Sequence, residues 1–261
     1  MFKFFRKIRQ NLLSEGKTTK YFKYAVGEIV LVVIGILIAL QINNWNEERK
    51  DRIREQAILN QLKTEFKNNL TQLNQKNKSK RESINSALQL IKYIDSTILR
   101  NKDSVDYYLV RTIPFTTFDP IINDLASSGE LRIIKNDSLK QKLTFWTSET
   151  ADLREEELSW QNYRDNRYEP FLVEHYQLRT IRNLANNTNV LNKYLIEDNL
   201  RARPEIGNST HIEDYNSLLN NPDFEDHIER CITKNNHSLN QSLILRKKII
   251  EIIDLIEQNL E

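Results

Sequence analysis

The side chains best suited to chemistry in this sequence are four histidines (His175, His211, His227 and His237) and a single cysteine, Cys231. His227 and Cys231 stand four apart, so a helix would place both on one face, with Asp223, Glu225, Asp226 and Glu229 beside them. An imidazole and a thiolate at that spacing can supply two ligands to a metal such as zinc. No matching pair stands elsewhere in the chain, and acidic residues in a first helical turn are favoured by the helix dipole in any case. The expectation is no metal and no cofactor, with Cys231 a buried, inert thiol. Glu155, Glu156 and Glu157 read as a solvated helix face. The sequence contains no phosphate-binding loop, no dinucleotide-binding glycine pattern, no nucleophile elbow and no HExxH pair, so no catalytic residue is nominated and the chain is not expected to be an enzyme. The turn Ser127-Ser128-Gly129 has backbone N–H groups that suit a small anion. Ordinary helix capping, with Leu131, Ile133 and Ile134 packed beneath, accounts for the same residues.

One non-enzymatic pattern is sharper. Glu28, Gly35, Ala39 and Ile42 are spaced seven, four and three apart, which aligns them on one face of a helix. Gly35-x-x-x-Ala39 is a small-x-x-x-small pair of the kind that lets two apolar helices approach closely. A carboxyl group on that face is costly against lipid and less so against a partner helix, or at the headgroup level beside Lys20 or Lys23. The pattern fits a homodimer, or docking on another membrane protein. Its competing explanation is that small residues are common in spanning helices and that Glu28 reaches the interface by itself.

That face lies on the segment that must position everything else. Residues 25–42, AVGEIVLVVIGILIALQI, form the only long apolar run in the chain. Eighteen residues at 1.5 Å rise make a rod of roughly 27 Å, close to the hydrocarbon thickness of a bilayer. Tyr21, Phe22 and Tyr24 precede the run and Trp45 follows it, as expected of rings at the two headgroup levels. Residues 1–24 hold seven Lys/Arg against one acid, whereas residues 43–62 hold four basic and four acidic residues. That asymmetry predicts a cytoplasmic N-terminus and a C-terminal part on the far side. The run ends in QINNWNEE without a small-residue cleavage pattern, and reads as an uncleaved signal anchor.

The block GEIVLVVIGILIALQINNWNEE, preceded by the basic MFKFFRKIRQ, resembles an uncharacterised family of bacterial membrane proteins, a domain of unknown function. The block FDPIINDLASSGELRIIKNDSLKQKL resembles it more loosely. The resemblance implies a bacterial inner-membrane protein with a short basic leader, one spanning helix and a helical domain beyond the membrane. It carries no catalytic residues to transfer.

Composition sets the remaining bounds. With 39% hydrophobic and 28% charged residues the chain is not disordered, and five Gly and five Pro in 261 residues argue against a fold of many tight turns. Beyond the leader 31 basic residues face 35 acidic ones, a net of −4, so no basic patch points to nucleic acid as a partner. The leader's charge suits anionic lipid, and Phe2, Phe5, Ile8, Leu12 and Leu13 on one face of residues 1–13 suit an interfacial helix.

Along the chain, no Gly or Pro occurs from Asn43 to Arg100. Ile53, Ala57, Leu59, Leu62, Phe66, Leu70 and Leu73 recur at helical spacing, and the register resumes at Ile84, Ala87, Leu88, Ile91, Ile94 and Ile98. One continuous helix to about residue 99 is expected, its polar stretch NQKNKSKRE (74–82) exposed between packed ends, the alternative being a break near Asn77, and a short membrane-adjacent coiled coil is another reading. Residues 100–118 read as a loop. Asp119-Pro120 predicts a helix start, with Gly129 its C-terminal cap, and Asn136-Asp137 caps a further helix to about Arg167. A helix over 171–184 follows, then short helices at 190–201 and 211–220. Asn221-Pro222-Asp223 opens a last long helix to Asn259.

The predicted architecture is all-α. A basic leader (1–24), a transmembrane helix (25–42) and an extracytoplasmic all-helical domain (43–261) follow one another, the helix continuing into an elongated bundle. The function that fits is a membrane-anchored interaction or sensory-type module whose partners are the bilayer and another protein. The alternative is a structural or scaffold subunit of a bacterial inner-membrane complex.

Overall fold

The computed structural model describes residues 18–121, 129–187, 206–211 and 214–261. Helices make up its secondary structure, and no strand occurs among the described residues. The chain divides into two compact units, Met1–Ala57 and Ile58–Glu261. The helix α1, Thr18–Asp95, contributes to both, so the expected continuity past residue 43 holds. It ends four residues short of the expected end, and a 3-10 turn, Thr97–Leu99, follows.

In the first unit none of the residues from Ala25 to Ile42 is buried. Leu31 and Leu37 are each 59% exposed, so the apolar side chains stand outward around the helix. The interfacial helix expected within residues 1–13 lies outside the described residues.

The second unit is built on three long helices: α1 from Ile58 onward, α3 (Asp137–Tyr163) and α7 (Pro222–Asn259). Contacts fix their directions. Phe66 meets Trp146 and Lys80 meets Glu157, so α1 and α3 run parallel. Lys67 meets Glu257 and Asn77 meets Ser242, so α7 runs antiparallel to α1. Both expected caps are present. The Asn136 side chain accepts from Leu139 N–H at 2.9 Å, and that of Asn221 accepts from Asp223 N–H at 2.9 Å. Each satisfies a donor that the first helical turn leaves without an intrahelical partner.

The structure departs from the expectations at three places among the described residues. The expected loop 100–118 contains a helix, α2 (Lys102–Thr112), capped by Asn101, whose side chain accepts from Ser104 N–H. Val105, Asp106, Leu109, Val110 and Thr112 are its buried residues, inside a stretch that is otherwise polar or aromatic. Asp119-Pro120 does not start a helix by Ile121, and residues 122–128, where that helix was expected, lie outside the described set. Gly129 does adopt the left-handed conformation expected of it (φ 73°), opening a 3-10 turn, Glu130–Ile133. The helix expected over 171–184 is two helices, α4 (Glu169–His175) and α5 (Leu178–Asn187). They part at Tyr176, whose backbone is extended and whose hydroxyl donates to buried Asp106 at 2.6 Å.

Between α3 and α4 the chain passes through a wide π turn, Arg164–Tyr168, in which Glu169 N–H bonds the Arg164 carbonyl. Pro170 cannot donate a helical hydrogen bond and its ring crowds the preceding turn, so a widened turn just before it keeps the path helical. A short helix, α6 (Tyr215–Leu219), is capped by the Asp214 side chain accepting from Asn216 and Ser217 N–H. The helix expected at 190–201 lies outside the described residues. Ile53, Leu88 and Ile98 belong to the apolar register but are exposed, so the stripe is broader than the core it feeds.

The interior of this unit is two apolar clusters. The Trp146 core gathers Leu59, Leu62, Phe66 and Leu73 of α1, Leu139, Trp146 and Leu153 of α3, and Leu245, Ile249 and Ile252 of α7. The Trp160 core gathers Ala87 and Leu90 of α1, residues of α2, α4, α5 and α6, Trp160, and Phe224, Ile228 and Cys231 of α7.

Candidate functional site

Glu28, Gly35, Ala39 and Ile42 all lie on α1, one face of its apolar stretch. Gly35, Ala39 and Ile42 are exposed and Glu28 is half-buried. A Cβ built on Gly35 would meet nothing within 4 Å. Among the described residues, no packing requires glycine there.

The second feature is one that composition concealed. The stretch 74–82, expected to be exposed, supplies buried polar side chains between the two cores, Asn77, Ser79 and Lys80, with Ser83 and Ser86 following them. Opposite them are Glu157 of α3 and Asn235, Ser238 and Ser242 of α7. At the centre Lys80 Nζ donates to Glu157 Oε1 at 2.6 Å, with side-chain exposures of 3% and 0%. The other carboxylate oxygen accepts from Phe118 N–H at 2.8 Å. Glu157, expected on a solvated face, is thus the most enclosed ionisable side chain of the belt.

Burial holds Lys80 below the ordinary lysine range, against the opposing pull of Glu157. Half-buried Lys76 is lowered for the same leading reason, again opposed by Glu157 and then by Asp119. Ser242 Oγ donates to Asn77 Oδ1 at 2.5 Å. Other polar atoms of the belt are less well served. Among the described residues, Asn77 Nδ2, Ser238 Oγ, Thr116 Oγ1 and Trp160 Nε1 are buried without a hydrogen-bond partner. Each such group costs about 1–3 kcal/mol, so the belt is a locally expensive way to join two apolar cores.

The belt also holds a strap without regular secondary structure, 113–121. Asn69 of α1 pairs with the Ile121 backbone twice, its Oδ1 accepting from Ile121 N–H at 2.8 Å and its Nδ2 donating to Ile121 O at 3.0 Å. Gln72 Oε1 accepts from Asp119 N–H at 3.1 Å. Arg164 donates to Ile113 O and lies 4.4 Å from the centre of the Phe115 ring. Side chains thus satisfy a backbone that has no strand to pair with.

His227 and Cys231 do share one face of α7, but they are engaged separately. His227 Nδ1 shares a 2.9 Å hydrogen bond with the Tyr163 hydroxyl, and its ring packs against Phe171 at 4.6 Å. Burial lowers the imidazole pKa, countered by Asp223 and Asp226 and reinforced by Arg167 and His175. Cys231 is fully buried, its thiol donating to Thr112 O and accepting from Asn235 Nδ2, and burial pushes its pKa far up. No group of three metal-ligating side chains occurs among the described residues. Glu157, Lys80 and the Asn69 pairing were missed by sequence reading. The only available signal was the unbroken helical register running through a polar stretch.

The fold class is thus all-α, and among the described residues one helix is long and apolar enough to cross a membrane. Residues 28–143 match the model of a family of unknown function (DUF6090), in keeping with the resemblance to an uncharacterised family. The match begins at Glu28 and takes in the α1 side of the belt, α2, the strap and the start of α3. No curated protein and no solved structure gives a match.

Proposed function

We propose that the chain is a single-span protein of a bacterial inner membrane, its N-terminus cytoplasmic, whose helical unit beyond the membrane is an interaction or sensory-type module without catalysis or a cofactor of its own. The observation that carries this reading is the surface of α1 over Ala25–Ile42. An 18-residue window there has a mean hydropathy of 2.6, and none of it is buried against the chain. An apolar helical surface that its own protein leaves uncovered needs lipid or a partner helix. The seven basic residues among 1–24 support the orientation.

The face Glu28, Gly35, Ala39 and Ile42 is where a second spanning helix would pack, from another copy or from a different membrane protein. A reading as a structural subunit is favoured by one observation. Lys80 and Glu157 satisfy each other inside the helices instead of being directed at a ligand.

Two experiments test the proposal. Alkaline phosphatase fused after Glu261 should be active and a fluorescent protein there dark, and the opposite pattern would invert the topology. A two-hybrid assay in membranes should lose signal with Gly35→Ile and with Glu28→Leu. Unchanged association in both variants would remove the helix-association face.

A further inference from the structure

We infer that the polar belt is a seam in the Ile58–Glu261 unit, at which the Trp160 core opens while the Trp146 core stays folded. Three observations converge on it. The buried apolar residues form two separate clusters, and Asn77, Lys80, Ser83, Glu157, Ser238 and Ser242 lie between them on all three long helices. Apolar burial is the main cooperative force in a domain, and a polar interlayer interrupts it. The interlayer is also incompletely satisfied, with Asn77 Nδ2 and Ser238 Oγ buried without partners among the described residues, so opening there returns orphaned groups to water.

The two sides differ in construction, which sets the order of opening. The Trp146 core is walled mainly by α1, α3 and α7, helices of 78, 27 and 38 residues. The Trp160 core relies also on α2, α4, α5 and α6, which have 11, 7, 10 and 5 residues. Helices that short are unstable alone and persist only while packed. Glu157 meets the strap through Phe118 N–H, but the Phe118 ring packs with Trp146 and Asn69 holds Ile121, so the strap stays with the Trp146 core. In a membrane-anchored module, such an opening would present α2 to a partner without unfolding the remainder.

Native-state hydrogen exchange on the full chain in detergent micelles tests this. Amides in 105–112, 171–176 and 218–231 should share one opening equilibrium, more populated by about tenfold or more than that of 59–73 and 245–256, with a smaller denaturant dependence. The variant Lys80→Met/Glu157→Leu, which makes the belt apolar, should draw the two sets together, and so should Asn77→Leu/Ser242→Ala. A single opening equilibrium for both sets in the wild-type chain would overturn the inference, whichever variants fold. So would two sets that stay equally separated in both variants, since the division would then not arise from the belt.

Discussion

Removing the Glu157 carboxylate is the most incisive perturbation of the helical unit. In Glu157→Leu the Lys80 ammonium, whose side chain is 3% exposed, loses its 2.6 Å partner, and Phe118 N–H loses its acceptor. Stranding one charge of a buried pair costs about 3–5 kcal/mol, and the orphaned N–H adds about 1–3 kcal/mol. Lys80, already below its ordinary range through burial, can lower that cost by releasing its proton. Lys80→Met alone strands the carboxylate and should also cost about 3–5 kcal/mol. The double variant Lys80→Met/Glu157→Leu leaves only the Phe118 N–H unsatisfied, and should lose no more than about 1–3 kcal/mol. The two single losses should therefore exceed the double loss by at least about 3 kcal/mol. Urea unfolding of the full chain in detergent micelles, followed by tryptophan fluorescence and summed over the whole transition, measures all three. Losses that add to within about 0.5 kcal/mol would mean that the two groups do not form a desolvated pair, and the belt would lose its centre.

Three further outcomes follow from single sites. Asn136→Ala removes the cap on Leu139 N–H and should cost about 1 kcal/mol by the same urea assay, whereas Asn136→Asp should retain most of it. His227 binds its proton less readily when folded, chiefly because it is buried, so in the window just below the ordinary value of about 6.5 the unfolded chain takes up more protons. Stability should accordingly rise with pH through that window and level off above it, and a pH series on His227→Gln should lack that component. Cys231, fully buried with its thiol pKa pushed far up, should react with a maleimide only when the Trp160 core opens, so labelling should be slow in the native chain and fast in urea.

How far the sequence could be read depended on whether each signal was local. The apolar run 25–42, the caps at Asn136 and Asn221 and the left-handed Gly129 are each determined by neighbours a few residues away, and each was legible. The helix Lys102–Thr112 was obscured because its buried stripe is short and set among polar or aromatic residues, so composition suggested a loop. The belt was illegible for a different reason. Asn77 and Lys80 appear solvent-facing until paired with Ser242 and Glu157, which lie 165 and 77 residues further on. A polar residue on the inward face of a helix differs from one outside only through its partners, and periodicity in apolar residues does not count it. Tyr176 is similar, since the break between α4 and α5 coincides with its contact to Asp106, 70 residues earlier.

The claim on which the functional reading depends is that α1 crosses a bilayer through Ala25–Ile42. Carbonate extraction of bacterial membranes containing the full chain, with Ile34→Lys/Ile38→Lys in parallel, tests it directly. Two lysines near the middle of the span cost about 2.5–3.5 kcal/mol each on insertion scales. The account predicts that the wild-type chain stays in the pellet and that much of the variant moves to the soluble fraction. A wild-type chain released by carbonate, or a variant retained as fully as wild type, would contradict it.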